Sequence, residues 1–207
     1  VALSLGARMH FAQSSASAYV DHRAIGDCSI LDGVVPVFSM SGPPHGNGNC
    51  ARAWVADVEE LRPDVALVVL GGAYFSTVRV DGRRRSVCHP GWGDAYTKRL
   101  SELLVAMAPF AGRRVVLLAA YPVGKWQTVT RNDEVDCYNL ALRAAATRAA
   151  AEVIDLNAFA CPERKCTLTS RGEPVRPDGL HFDGLGAEDT ARWILAELRA
   201  GSAGRRE

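Results

Sequence analysis

The sequence predicts an α/β protein: a three-layer α/β/α sandwich around a central parallel sheet. Three observations carry this. Short runs of branched apolar residues recur along the chain and are apolar on both faces, the pattern of strands covered on both sides. Segments with helical spacing of apolar residues separate those runs, and such alternation calls for parallel strands joined by crossover helices. At 207 residues the chain is of a length for one domain with a sizeable core.

The strands are read in order at Val1–Leu5, Val34–Phe38, Val65–Leu70, Val115–Ala120 and Glu152–Leu156. Phe11–Ala24 is a helix candidate after the first strand. Ala51–Leu61 is the next, with apolar positions at Trp54, Val55, Val58 and Leu61. Asp94–Met107 carries Leu100, Leu103, Leu104 and Met107 at the same spacing. Asn132–Ala151 is alanine-rich, and Ala187–Leu198 closes the chain. The stretches Ser39–Asn49, Tyr74–Gly93 and Ala158–Pro177 are rich in Gly, Pro and Cys and read as cross-linked loops, not linkers. One domain over residues 1–200 with a frayed tail at 201–207 follows. In open α/β sheets the binding crevice lies at the carboxyl ends of the strands. The turns after Leu5, Phe38, Leu70 and Ala120 should therefore gather at one edge.

Composition excludes several classes. The net charge is +1 with 23% charged residues, which speaks against a nucleic-acid backbone binder. No apolar run approaches the roughly 20 residues that span a bilayer. The chain begins at Val1 without a signal-peptide layout, so it is expected to be part of a longer or processed protein, with any membrane segment outside it. Six cysteines, Cys28, Cys50, Cys88, Cys137, Cys161 and Cys166, are scattered and even in number. That fits three disulfides in an oxidising compartment, with sequence order suggesting Cys28–Cys50, Cys88–Cys137 and Cys161–Cys166. The other reading is six buried thiols in a reducing one. No pair has zinc-like spacing, and neither a metal nor another cofactor is called for.

The strongest local signal is "RPDGLHFDGLGAEDTARWIL", Arg176–Leu195. Asp178 and His181 stand three apart before a helix, a spacing at which the carboxylate can hold one imidazole nitrogen while the other faces the crevice. An isolated pair of this kind is more readily a turn aspartate and a satisfied surface histidine. The order of elements adds weight, because the whole chain resembles the SGNH, or GDSL-like, hydrolase superfamily, flavodoxin-like in outline. It is most similar to the SGNH domains fused behind membrane acyltransferases of the acyltransferase-3 type. "VALSLGAR" falls where that family has a strand followed by Gly-Asp-Ser; "CSILDGVV" stands near its second block, with Gly33 as the glycine. "RPDVALVVLGGAYF" resembles the third block, with Gly72, and Arg176–Leu195 resembles the last, with its Asp-x-x-His.

The resemblance implies an acyl-transfer or ester-hydrolysis site with serine as nucleophile, histidine as base, aspartate as orienter, and an oxyanion hole at Gly33 and Gly72. It also implies a membrane acyltransferase partner, a cell-envelope glycan as acceptor, and an extracytoplasmic location. The sequence departs from the pattern at its centre. Aligned on Gly6, Ala7 replaces the family aspartate and Arg8 the serine, while Gly71-Gly72-Ala73-Tyr74 lacks the asparagine. A protonated guanidinium is no acyl acceptor. Ser4, Ser14, Ser15, Ser39 and Ser41 are the other serines in reach, and none sits on a nucleophile elbow. The domain is therefore expected to bind the acceptor or regulate the membrane part without hydrolase activity of its own. The alternative is an active esterase or acyltransferase domain in which His181 and Asp178 serve a relocated serine or activate the acceptor hydroxyl directly. Arg8 is expected to fill the pocket and pair with Asp178; the bland alternative is an arginine reaching solvent from an ordinary turn.

Of the other features, Tyr74, Trp92 and Trp126 are read as stacking surfaces for a sugar, or else as packing for the cross-linked loops. Arg83–Arg85 reads as a solvated loop that, with Arg79, could meet an anionic glycan or headgroup. "GNGN" at Gly46–Asn49 is a turn, lacking the lysine and helix of a phosphate loop.

Overall fold

The computed structural model describes residues 50–70, 78–80 and 83–203. The expected strands at Val1–Leu5 and Val34–Phe38 and the helix at Phe11–Ala24 lie outside those residues. So do Gly6, Ala7, Arg8, Cys28, Gly33, Gly72, Tyr74, the five serines named above and the turn at Gly46–Asn49.

Helix α1 (Cys50–Leu61) leads into strand β1 (Val65–Val69), and a short hairpin follows, β2 (Val78–Val80) with β3 (Arg83–Arg85). The arginine run is thus a strand paired antiparallel to β2, not the loop expected of it. Helix α2 spans Pro90–Met107, strand β4 Arg113–Leu117, helix α3 Asn132–Arg148 and strand β5 Glu152–Ile154. A short helix α4 (Leu156–Ala160), a second hairpin β6 (Thr169–Ser170) and β7 (Glu173–Pro174), and helix α5 (Gly184–Ala203) complete the described chain.

Strands β1, β4 and β5 form a parallel sheet in that order, with Leu67 opposite Val115 and Val115 opposite Glu152. Helices flank it, as the α/β reading requires. The central strand explains why both faces read as apolar: Val115 and Val116 point to opposite faces and each is 0% exposed. Strand β4 begins two residues earlier than the expected Val115, at two arginines that a window of apolar residues excludes. Arg113 forms a two-pronged pair with Glu152 on β5, at 2.9 and 2.6 Å. Arg114 donates to the carbonyls of Leu104 and Ala149, both at 3.0 Å, occupying orphan acceptors at the ends of α2 and α3.

Helix α2 starts four residues ahead of the expected Asp94. His89 caps it, its Nδ1 accepting from the Gly91 amide at 3.1 Å, and Pro90 takes the first helical position, where a missing N–H costs nothing. The buried stripe Trp92, Tyr96, Leu100, Leu103, Leu104 and Met107 faces α3 and the sheet. Helix α3 stops at Arg148 instead of Ala151, since Ala150 adopts φ 50°, which no helix tolerates. Helix α5 runs past the expected Leu198 to Ala203, so residues 201–203 are helical and not a frayed tail.

Two disulfides match the sequence-order pairing, Cys88–Cys137 and Cys161–Cys166. The first ties the start of α2 to α3; the second closes the turn after α4. They belong to an oxidising environment. The third expected pair, Cys28–Cys50, lies outside the described residues.

Candidate active site

The segment Val175–Phe182 forms a tight turn between β7 and α5. The Gly179 amide donates to the Arg176 carbonyl at 2.9 Å. Gly179 itself sits at φ +84°, and a Cβ there would stand 2.4 Å from the Val123 carbonyl oxygen. Backbone conformation and space both demand glycine at this position.

Asp178 organises the turn. Its Oδ1 accepts from the backbone amides of Leu180 and His181, each at 2.8 Å, and its Oδ2 lies 2.7 Å from His181 Nδ1. Partial burial works against the charge on this carboxylate. The hydrogen bonds from the His181 side chain and from the His181 and Leu180 amides, with the Coulombic pull of the imidazole, outweigh it. They push its pKa from 3.8 down to about 2. An ionised carboxylate only accepts, so the proton at Nδ1 stays on the imidazole, and the neutral ring then carries its lone pair on Nε2. The His181 side chain is 61% exposed, which makes the pair's Coulombic strength modest and its value one of orientation.

The turn is anchored to the carboxyl end of β4. The Val123 amide donates to the Gly179 carbonyl at 2.8 Å, and Trp126 Nε1 donates to the Asp178 carbonyl at 3.0 Å. Asn139 on α3 clamps Ala119 from both sides, accepting from its amide at 2.9 Å and donating to its carbonyl at 2.8 Å. Asn157 accepts from the Tyr121 amide at 3.0 Å. The dyad therefore stands at the strand edge where α/β sheets place their sites. A cleft of about 330 Å³ opens beside it, walled by Val123, Leu168, Pro174, Val175, Asp178 and the Cys166 end of the disulfide.

Of the residues singled out in the sequence, Asp178, His181 and Trp126 are brought together. Trp126 is half-buried, with the Lys125 ammonium 5.3 Å from its ring centroid. Trp92 is not at the crevice at all: it is 0% exposed, stacked on Tyr96 at 4.7 Å with Tyr138 at 6.1 Å. Its place on the inner stripe of α2 makes it core, and the sugar-stacking reading of Trp92 is withdrawn. Sequence reasoning missed Arg176, Asn139 and Asn157. Arg176 stood inside the quoted block, whereas nothing local marks either asparagine. Among the described residues no group of three His, Cys, Asp or Glu side chains is disposed to hold a metal ion, and no helix is long and apolar enough to cross a membrane.

The low pKa of Asp178 gives a pH signature. The folded value lies below the ordinary 3.8, so the ionised carboxylate favours the folded turn above about pH 4, and that contribution fades as pH falls through about 2. The backbone amide shifts of Leu180 and His181, followed by NMR, should titrate together with a midpoint near pH 2. A midpoint near 4 would mean that the carboxylate does not hold them.

Two solved structures are similar to this chain. The chain is similar to LAE5, an alpha/beta hydrolase enzyme from the metagenome of Lake Arreo, Spain, at 22% identity and a TM-score of 0.48, covering 72% of this chain and 65% of that one. It thus spans less than two thirds of the length of LAE5. It is also similar to the lipase/acylhydrolase from Enterococcus faecalis at 16% identity and a TM-score of 0.51, covering 73% of this chain and 69% of that one. At such identity the second likeness speaks to the fold alone, an α/β fold with a parallel sheet flanked by helices, as expected. No curated protein matches the sequence. Residues 49–197, well over half the chain and the part that carries the described sheet and the dyad, match the family described as "Protein of unknown function (DUF459)", and the chain belongs to that family.

Proposed function

We propose that this chain is the extracytoplasmic domain of a membrane-tethered O-acyltransferase acting on cell-envelope glycans. The domain receives the acceptor sugar, and His181 is its general base. The observation that carries the reading is the Asp178–His181 pair, with the carboxylate on Nδ1 at 2.7 Å and Nε2 without a hydrogen-bond partner among the described residues. The step balances without an enzyme nucleophile. An acceptor hydroxyl gives its proton to Nε2 as its oxygen bonds the acyl carbon; the donor's leaving group then departs and takes the proton back. Arg8 at the serine position supports an acceptor-side role over ester hydrolysis, and the disulfides support an extracytoplasmic location. Trp126, tied to the same turn, offers a ring face to a sugar.

A chromogenic ester tests the missing nucleophile. The native chain should be inert, and the double change Ala7→Asp with Arg8→Ser should create esterase activity that disappears on adding His181→Ala. Esterase activity in the native chain that His181→Ala abolishes would sink the reading, because a working nucleophile would then be present.

A further inference from the structure

Arg176 stands two residues before Asp178 and is 6% exposed. A guanidinium buried to this degree is stable only where its N–H groups are occupied. Nη1 donates to the Tyr121 carbonyl at 2.5 Å, and Nη2 reaches Cys161 Sγ at 3.2 Å. The guanidinium carbon lies 5.4 Å from the ring centroid of Phe182, the residue immediately after His181. These contacts come from three places: the segment after β4, the disulfide-closed turn, and the far side of the dyad. The sulfurs of Cys161 and Cys166 each lie 3.9 Å from that same Tyr121 oxygen. Disulfide and arginine therefore converge on the one carbonyl of Tyr121.

The bonds that fix the turn from the other side, Val123 amide to Gly179 and Trp126 Nε1 to Asp178, arise from the same stretch of backbone. Arg176 thus closes a ring around the dyad, holding position 176 by its own side chain and position 182 through the ring of Phe182. We infer that Arg176 is the positioning residue of this site: its planar fork, braced on the Cys161–Cys166 disulfide, keeps His181 turned so that Nδ1 stays on Asp178 and Nε2 faces the acceptor. Lysine cannot do this. A single ammonium does not span the Tyr121 oxygen and the Cys161 sulfur together while also facing the ring of Phe182.

The inference rests on reading His181 as a base, but its readout needs no substrate. In ¹⁵N-labelled chain, long-range NMR of the imidazoles reports the His181 tautomer, with His181→Gln assigning the signal. The native chain should hold the Nδ1–H form at neutral pH. Arg176→Lys should lose that dominance, the Nε2–H form rising to at least half, and should lower glycan acylation by the full-length protein about 10²-fold, as expected when a base is misplaced by an ångström. Cys161→Ser with Cys166→Ser, which removes one brace and leaves Arg176 in place, should shift the tautomer the same way by less. Trp92→Phe, remote from the turn, should leave it unchanged, which separates positioning from a general loss of stability. A native-like tautomer in either Arg176→Lys or the double serine variant overturns the inference. A shifted tautomer together with full acylation by His181→Ala leaves Arg176 its positioning role and removes the catalytic reading instead.

Discussion

Under the function proposed above, replacing His181 by alanine in the membrane-tethered protein is expected to lower acylation of the glycan by about 10²–10⁴-fold, the usual worth of a general base. Released acyl groups, measured from cells carrying only the variant, give the readout. The expectation follows from the geometry of one side chain. With Nδ1 committed to Asp178 at 2.7 Å, the imidazole can act only through Nε2. Asp178→Asn should fall nearly as far, since a neutral amide no longer enforces the tautomer. A drop of less than tenfold for His181→Ala would show that the pair is an inherited frame that binds or regulates without moving a proton. The chain would then be an acceptor-binding module, and catalysis would belong to the proposed membrane partner.

The largest effect on stability is expected at Trp92. Trp92→Ala should cost about 3–5 kcal/mol, the range for deleting a fully buried large side chain. In a chain of this size that is a fall in Tm of roughly 6–20 °C. The indole is 0% exposed and lies nearly parallel to Tyr96, with an interplanar angle of 9°. Tyr96 and Tyr138 share a hydrogen bond at 2.8 Å, and Tyr138 donates to the Leu70 carbonyl at 3.3 Å, so the cluster braces the end of β1. Burial drives the Tyr96 hydroxyl pKa well up, which keeps it neutral and able to donate. Trp92→Phe should cost less, about 1–2 kcal/mol. It keeps a ring on Tyr96 and removes an indole N–H that has no hydrogen-bond partner among the described residues. Equal losses for alanine and phenylalanine, read by thermal unfolding, would contradict this account.

Much of the fold was legible because it depends on local pattern. Runs apolar on both faces located β1, β4 and β5, since only covered strands avoid a polar side. Helix spacing located α1 to α3 and α5. Errors fell at ends, where single residues decide. Arg113 and Arg114 look polar in a window of sequence, yet one pairs with Glu152 and the other caps two helices. Pro90 reads as a break until His89 is seen to cap the turn.

The site divides along the same line. An aspartate and a histidine three residues apart, with a glycine between them able to take φ +84°, are a local matter, and the sequence by itself determined the dyad. It also determined the α/β class, whereas the pairing of the two described disulfides, one of fifteen sets six cysteines allow, was decided by the structure. Only the tertiary structure decided where the dyad stands and what steadies it. Asn139 reaches Ala119, Asn157 reaches Tyr121, and Arg176 reaches Tyr121 and Cys161. Those contacts join residues 15 to 55 positions apart, and no periodicity or spacing encodes such a join. Likewise an aromatic in a glycine-rich stretch is the same letter whether it faces a sugar or the core. Trp92 became core and Trp126 a neighbour of the base because packing of α2 against the sheet, not composition, chose which ring was covered.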